Sequence, residues 1–346
     1  MDIEKRPLIT VCLFAYKQER FIEKAVQGAL AQTYEPLEII LSDDHSPDRT
    51  FEIIQRLARE YKGPHRVVVN QNRENLNLGK HFSRIFEMAR GEWIVAMAGD
   101  DYSFPDRVEK QYLAAVRHPE AKAIAAAWNR VDENGNRLEA DAGHQGRSGE
   151  VVLSRIDLNA RCPFAVRGCG VMWHRSLFDI FGPMKEGVFV EDNVYTLRAL
   201  LTGTVVAIPD VLLNWTVGPN KSKIMDYKLD RASEMTPYEQ EVVNRGKQHI
   251  KVSEQGVADV NCAFEKGLIT KKKRDNVLGQ LKIKRFREHC RGYWWEISLF
   301  ARIGLILKGI ALHDGKWVLS KWRELFGLSA YHCLSRWHHA IIMRRK

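Results

Sequence analysis

Three pairs of neighbouring carboxylates are the residues of this sequence whose types and spacing could do chemistry. Asp43-Asp44 and Asp100-Asp101 each follow a short apolar run, and Glu191-Asp192 opens a segment of helical period. Carboxylates that follow a strand can accept hydrogen bonds from a base or a ribose, or hold a hard divalent cation. A carboxylate can also take a proton as a general base. The structural alternative is that these acids only stabilise helix N-termini.

The elements around the first two pairs alternate between β-like runs and segments of helical period. Strands are predicted at residues 8–14, 37–42, 66–70, 93–98 and 123–128, and helices at 18–32, 48–61, 78–90 and 106–117. Such alternation predicts an α/β fold with parallel strands and crossover helices. Ser46 and Ser103 are predicted to cap the helices that follow the Asp-Asp pairs.

The sequence after residue 130 predicts a turn, further strands and helices, and a helical C-terminal region. We predict a hairpin turn at residues 132–136, strands at 164–173, 204–208 and 211–217, and helices at 176–181 and 191–201. From about residue 226 the chain is predicted to be helical.

Several segments, in this order, resemble motifs of glycosyltransferase family 2, whose members have the GT-A fold. Residues 9–16 (ITVCLFAY) resemble the first strand with its nucleotide-contacting turn, and residues 29–34 (ALAQTY) the end of the first helix. Residues 41–46 (LSDDHS) are similar to the second-strand motif, and residues 90–101 (RGEWIVAMAGDD) to the segment that ends in a D-x-D-type motif. The resemblance covers residues 8–222 and implies a GT-A type nucleotide-binding mixed sheet flanked by helices.

The same resemblance implies a role for each site residue. Phe14, Tyr16, Asp44, Arg73, Lys80 and Asp100 would bind the nucleotide, with Asp44 on a pyrimidine base and Asp100 on the ribose. Asp101 would bind a divalent cation, Mn²⁺ or Mg²⁺. Glu191-Asp192 resembles the family's E-D motif, in which the aspartate, here Asp192, is the general base. For Arg73 and Lys80 a solvated surface role is the alternative.

The resemblance departs from the family pattern after the last predicted strand. Family members often carry an Arg-Val-His-type loop there that contacts the diphosphate or the metal. This chain has residues 214–222 (NWTVGPNKS), with Thr216 and Gly218 where Arg and His would be. A histidine ligand from this loop is therefore not expected, and Lys221 is either a phosphate contact or a solvated lysine.

A glycine-rich stretch before the E-D motif resembles the small-residue strand that lines the acceptor side. It comprises residues 167–173 (RGCGVMW). Glycines let a substrate approach the backbone closely, although tight packing explains them equally well. Trp173 and His174 are candidates for an acceptor pocket, with core packing as the alternative.

The positive charge of the chain is concentrated in its C-terminal region. The net charge is +10, yet residues 271–346 alone carry 18 Lys and Arg against 5 Asp and Glu. The same region contains Trp294, Trp295, Trp317, Trp322 and Trp337. Basic amphipathic helices with tryptophans suit peripheral contact with an anionic membrane surface. A helical cap on the catalytic domain is the alternative, and no nucleic-acid-binding motif accompanies the basic residues.

Composition and motifs together predict the class of protein. The hydrophobic fraction of 45% and the charged fraction of 28% exclude collagen-like and wholly disordered chains. The six cysteines form no C-x-x-C spacing, which predicts a reduced, cytoplasmic protein without structural zinc. We find no signal peptide pattern and no apolar run long enough to span a membrane. The expected location is cytoplasmic, at the inner face of the cytoplasmic membrane.

The predicted organisation is a GT-A catalytic domain at residues 1–225 and a helical, basic, tryptophan-rich region at 226–346. Residues 1–129 would form the nucleotide-sugar half of the catalytic domain and residues 130–225 the acceptor half. The expected activity is inverting transfer of a sugar from a UDP- or dTDP-type donor to a saccharide or lipid-linked saccharide, in bacterial surface glycan assembly. A sugar-nucleotide pyrophosphorylase is disfavoured because residues 14–18 (FAYKQ) are not a glycine-rich loop. A non-catalytic nucleotide-sugar-binding or membrane scaffold protein is the remaining alternative.

Overall fold

The computed structural model describes residues 6–142, 149–158, 166–217, 237–293 and 299–312. Within this part of the chain the strands are β1 (Ile9–Ala15), β2 (Leu37–Asp43), β3 (Arg66–Gln71), β4 (Trp93–Ala98), β5 (Tyr102–Ser103), β6 (Ala121–Val131), β7 (Arg137–Ala142), β8 (Val151–Leu153), β9 (Val171–His174) and β10 (Thr204–Thr216). The helices are α1 (Ile22–Leu30), α2 (Thr50–Glu60), α3 (Asn77–Met88), α4 (Arg107–Arg117), α5 (Ser176–Phe181), α6 (Glu191–Thr202), α7 (Pro237–Glu265), α8 (Lys271–Tyr293) and α9 (Leu299–Ala311).

These strands form one mixed sheet. Its order is β3-β2-β1-β4-β9-β6-β10-β5, with β7 beside β6 and β8 beside β10. Strands β3, β2, β1 and β4 are parallel neighbours, while β9 is antiparallel to both β4 and β6. The predicted α/β fold with a mixed sheet, flanking helices and a helical C-terminal region is confirmed. Because β2 and β4 lie on opposite sides of β1, strand order reverses there, and ligands bind open α/β sheets at such a point.

The sheet is covered by helices on both faces. Ile9, Val11 and Leu13 alternate along β1 and pack in one core cluster with Ile22 and Val26 of α1. Phe14 points to the other face, where its ring stacks on Phe82 of α3. Burial on both faces explains why β1 is a nearly continuous apolar run rather than an alternating one.

Three details of the sequence prediction are wrong. Within the described residues, the strand predicted at 164–173 is only β9 (Val171–His174), because Gly168–Gly170 form a 3-10 turn. The strands predicted at 204–208 and 211–217 are one strand, β10, whose register against β6 shifts between Ala207 and Val211. The shift accommodates Pro209, which lacks a backbone donor. The predicted caps also fail, because helices α2 and α4 begin later, after Arg49 and Asp106, and neither has a side-chain cap.

The chain divides into two compact units. The first comprises Met1–Lys223 with Gln255–Val277, and the second comprises Ile224–Glu254 with Leu278–Lys346. In the first unit the buried Arg198 pairs with the buried Asp259 of α7 at 2.8 Å. In the second, Arg285 of α8 pairs with Glu254 of α7 at 2.9 Å. The division into a catalytic domain at residues 1–225 and a helical region at 226–346 stays a prediction.

Candidate functional site

The carboxyl end of β1 joins the strand ends that carry the two Asp-Asp pairs. The backbone N–H of Asp44 donates to the carbonyl of Ala15 at 2.9 Å, on one side of β1. On the other side, the N–H of Gly99 donates to the carbonyl of Phe14 at 2.8 Å. Asp44 and Asp100 therefore flank the same point of strand reversal, as the alternating pattern predicted.

Asp44 is held by two donors that act on one of its oxygens. It is 2% exposed, and its Oδ1 accepts the Asn72 side-chain amide at 2.7 Å and the Leu76 N–H at 2.9 Å. Among the described residues no hydrogen bond reaches Oδ2. This oxygen is suited to accept an N–H from a pyrimidine base. Sequence reasoning missed Asn72, although its place at the end of a predicted strand could have indicated it.

An aromatic group lies beside Asp44 on the α3 side of the sheet. Phe14 stacks on Phe82 with ring centroids 5.0 Å apart and meets His81 edge-on at 5.5 Å. His81 Nε2 lies 2.8 Å from Ser42 Oγ, and burial lowers the pKa of this imidazole. Phe14 is thus largely a packing residue, whereas Tyr16 is 40% exposed beyond the strand end and offers a face to a ligand.

Three residues other than glycine adopt the left-handed backbone conformation along this edge. Lys17, His45 and Asn77 have φ of 56°, 59° and 62°, and they follow the first three parallel strands of the chain. Residues in this region cost free energy and concentrate at functional sites. The strain is a second observation, independent of charge, that marks this edge of the sheet.

Asp101 is a buried carboxylate that is only half satisfied. It is 4% exposed, and its Oδ1 accepts the backbone N–H of Thr216 at 2.9 Å. Its Oδ2 is buried and has no hydrogen-bond partner among the described residues. Burial raises the pKa of both Asp100 and Asp101, and the Asp100 charge raises the pKa of Asp101 further. An unsatisfied buried oxygen beside a second carboxylate fits a hard divalent cation. The cation would give the oxygen a partner and would offset the repulsion between the two carboxylates.

The described residues contain no cluster of three or more His, Cys, Asp or Glu side chains that could hold a metal alone. Asp100 and Asp101 would thus be one or two protein ligands of a cation whose remaining ligands come from elsewhere. Mg²⁺ is commonly bound through one or two carboxylates together with substrate phosphates. The donor set therefore fits a cation that is bound together with a diphosphate.

The Glu191-Asp192 pair opens helix α6, as the sequence predicted. Burial, followed by the neighbouring Asp192 charge, raises the pKa of Glu191 to about 8. A Cβ added at Gly168 would overlap Glu191 Oε1, so Gly168 makes room for this carboxyl group. The next residue, Cys169, lies beside Asp101. The turn Gly168–Gly170 thus borders both the Asp100-Asp101 pair and the Glu191-Asp192 pair.

The remaining candidates form no hydrogen bond or ion pair with these carboxylates in the described ranges. Arg73 is exposed and makes no hydrogen bond or ion pair within the described part of the chain. Lys80 Nζ pairs with Glu186 Oε1 at 2.7 Å on the surface. Their nucleotide contacts stay predictions. Lys221 lies outside the described residues, as do the five tryptophans of the C-terminal region.

The acceptor-pocket hypothesis is wrong for Trp173 and His174. Trp173 is fully buried and packs against Tyr195 in the core. His174 pairs in register with Trp93, the first residue of β4, whereas Asp100 follows the last. His174 therefore lies at the opposite end of the sheet, where burial lowers its pKa to about 4.

Comparison with known proteins supplies relatives and structural neighbours. Residues 10–179 match the model of the family described as glycosyl transferase family 2. The chain is 32% identical over 131 residues to the putative glycosyltransferase EpsE of Bacillus subtilis, covering 38% of this chain and 46% of EpsE. It is 30% identical over 232 residues to an uncharacterized glycosyltransferase of Haemophilus influenzae, covering 64% of this chain and 68% of the relative.

The crystal structure of Staphylococcus aureus TarS 1-349 in complex with UDP-GlcNAc is similar with a TM-score of 0.61 and 15% sequence identity. The superposition covers 96% of this chain and 91% of that one. This likeness extends the shared fold beyond the residues matched by the family model. The alignment with EpsE, in contrast, spans less than half of that protein.

Proposed function

The chain belongs to glycosyltransferase family 2, and from this premise we propose that it transfers a sugar from a pyrimidine nucleoside diphosphate sugar to an acceptor hydroxyl. The observation that carries the proposal is the arrangement of Asp44 and Asp101 on either side of β1, with Glu191-Asp192 next to the turn that borders Asp101. This arrangement offers a base-binding acceptor, a cation site and a proton acceptor around one point of strand reversal.

Each group then has a defined part in the reaction. Asp44 Oδ2 accepts an N–H from the pyrimidine, and Tyr16 covers the nucleotide. Asp192 takes the proton of the acceptor hydroxyl while its oxygen attacks the anomeric carbon from the face opposite the leaving group, which inverts the configuration. Asp100 and Asp101 would hold a divalent cation, which supplies positive charge for the departing diphosphate.

The donor is proposed to be of the UDP or dTDP type, because Asp44 presents only an acceptor to the base. TarS, which shares the fold, was solved with UDP-GlcNAc, so UDP sugars are the first to test. The acceptor is proposed to be a saccharide or lipid-linked saccharide of a bacterial surface glycan.

We also propose that the C-terminal region contacts a membrane surface. Helix α9 exposes Leu307 (60%) and Ile310 (42%) next to the exposed Lys308. Apolar side chains beside basic ones suit the boundary between headgroups and acyl chains. No helix in the described ranges is long and apolar enough to cross a membrane.

A panel of nucleotide sugars tests the proposed activity. Thermal denaturation is measured with each donor, with and without Mn²⁺, followed by an assay for release of the nucleoside diphosphate. A true donor binds the folded state and raises the midpoint by mass action. A panel in which no nucleotide sugar shifts the midpoint contradicts the proposal. Binding without nucleotide release, in the presence of varied saccharide acceptors, favours a non-catalytic binding protein instead.

A further inference from the structure

Two arginines and two tryptophans form a cluster beside the carboxylates of the site. The guanidinium carbon of Arg167 lies 4.1 Å from the ring centroid of Trp215 and 5.6 Å from that of Trp128. The guanidinium carbon of Arg130 lies 5.9 Å from the Trp215 ring. We call these four residues the arginine–tryptophan cluster. Stacking on a tryptophan face fixes the plane of a guanidinium group and is itself favourable.

Arg167 has hydrogen-bonding capacity that the described protein does not use. Its side chain is exposed, and it makes no hydrogen bond or ion pair with any residue in the described ranges. A guanidinium carries five N–H donors in a fixed plane. The contacts with Trp215 and Trp128 therefore orient a set of donors and a positive charge without consuming them.

The cluster adjoins both carboxylate pairs. Trp215 immediately precedes Thr216, whose backbone N–H binds Asp101 at 2.9 Å. Arg167 immediately precedes Gly168, which makes room for Glu191, and Cys169, which lies beside Asp101. Arg167 thus precedes the residue that contacts Glu191, and it stacks on the tryptophan that precedes the residue bound to Asp101.

On the Asp101 side of β1, the other cations are paired or buried, whereas the unpaired Arg73 lies next to Asn72 on the Asp44 side. Arg107 is 1% exposed and donates to Ser103 Oγ, Gln111 Oε1 and the carbonyl of Ala96. Lys80 is paired with Glu186. The end of β10 supplies Asn214, Trp215 and Thr216, which are uncharged. A departing diphosphate nevertheless needs positive charge, and carboxylates dominate the edge of the sheet.

We propose that Arg167, oriented by Trp215, binds the diphosphate of the donor. The inference rests on the proposed function and adds a residue to it. The planar donors of Arg167 match two phosphate oxygens. When the bond between the anomeric carbon and the diphosphate oxygen breaks, its electron pair passes to that oxygen, and Arg167 stabilises the added charge. The acceptor oxygen forms the new bond to carbon, and its proton goes to Asp192.

Calorimetric titration with UDP and with uridine separates diphosphate binding from base binding. The variants are Arg167→Gln and Arg167→Lys, with Arg84→Gln as the matched control, because Arg84 is an exposed arginine whose partner is Glu87. We expect Arg167→Gln to weaken UDP binding about 10- to 100-fold, the range for losing hydrogen bonds to a charged group. Uridine binding is expected to stay unchanged, and Arg167→Lys to retain part of the UDP affinity because it keeps the charge.

The ratio of UDP to uridine affinity decides the outcome. UDP and uridine affinities that both match the parent in Arg167→Gln overturn the inference while leaving the proposed function intact, since the nucleotide is still bound. Equal losses for both ligands also overturn it, because they indicate a structural effect. A change confined to the KM of the acceptor overturns it and assigns the guanidinium to the acceptor. If the parent protein binds neither UDP nor dTDP, the proposed pyrimidine donor is wrong, which is a separate result.

Discussion

The side-chain amide of Asn72 donates to Asp44 Oδ1 at 2.7 Å, and this contact leaves Oδ2 as the oxygen of Asp44 without a hydrogen bond from the described residues. The Leu76 N–H donates to the same oxygen, so Oδ1 is occupied twice. If Asp44 recognises the base as proposed, its recognition depends on Asn72, which would then act as a positioning residue.

Replacing Asn72 tests this dependence. We expect Asn72→Ala to weaken uridine binding about 10-fold, because Asp44 loses one of two restraints and a hydrogen bond is worth about 1 kcal/mol or more. Titration calorimetry measures the affinity, and Asn134→Ala, in an exposed hairpin turn, serves as the control. Unchanged uridine affinity in Asn72→Ala would show that Leu76 alone positions Asp44.

Asp101→Asn should remove the dependence of nucleotide binding on a divalent cation and abolish transfer. The physical reason is that the buried Oδ2 loses its charge, whereas the acceptor for Thr216 is retained. Asp100→Asn should weaken UDP binding more mildly, by about 10-fold, as expected for a hydrogen bond from ribose. Titration of UDP with and without Mn²⁺ is the measurement, and Asp106→Asn on the exposed start of α4 is the control. Mn²⁺ enhancement that survives in Asp101→Asn contradicts the assignment of the cation to this residue.

Asp192→Asn should leave donor binding near that of the parent while lowering kcat about 10²- to 10⁴-fold. This is the range for loss of a general base, and the substitution preserves shape while removing basicity. The control is Asp179→Asn, because Asp179 is exposed and pairs with Arg175. Single-turnover kinetics with saturating donor give the chemical step directly. A rate within a few-fold of the parent would assign the proton to another group.

Glu191→Gln should change how stability depends on pH. The pKa of Glu191 is raised from about 4.5 to about 8, so the folded state keeps a proton that the unfolded state releases between these values. The parent therefore loses stability as pH rises from 4.5 to 8, and the glutamine variant avoids this loss. We expect the difference in thermal unfolding midpoint, variant minus parent, to increase by several degrees between pH 4.5 and pH 8.

Glu186→Gln is the matched control for that experiment. Lys80 lowers the pKa of the exposed Glu186, so both its folded and unfolded forms are ionised between pH 5 and 8. Its midpoint relative to the parent should stay flat over the same range. A flat difference for Glu191→Gln as well would mean that Glu191 is ionised in the folded protein.

Membrane contact predicts that the protein sediments with anionic vesicles and less so with neutral ones or at high salt. Each Lys or Arg near an anionic surface contributes about 1 kcal/mol. Replacing both Leu307 and Ile310 by Ser should weaken binding about 10-fold or more, because buried apolar area is lost. Leu268→Ser, at an exposed leucine in the first unit, is the control. If the full-length protein does not sediment with anionic vesicles at low salt, membrane binding is contradicted. The alternative, a helical region that covers the catalytic domain, is then favoured.

The sequence predicted the strands of the sheet well because each is a short apolar run between helices of clear period. Strand β4 has the predicted bounds, and β1, β2, β3 and β6 differ from theirs by at most three residues at either end, whereas β5 and β8 were not predicted. Both Asp-Asp pairs could be placed at the sheet edge for the same reason. Asn72 and Thr216 could not be assigned to their carboxylates, since those contacts join segments 28 and 115 residues apart and depend on strand order. The predicted helix caps at Ser46 and Ser103 failed because these hydroxyl groups have other partners. Ser46 Oγ donates to Asp43, and Ser103 Oγ accepts from Arg107.

The close approach at Gly168 ties the conformation of Glu191 to the residue at position 168. A Cβ there would meet Glu191 Oε1, so the carboxyl group would have to turn away. Because that oxygen ends a flexible side chain, the fold is expected to accept alanine at 168, and the change falls on the direction of the carboxyl group. Glycine at 168 therefore sets where a carboxyl group 23 residues further along the chain can point.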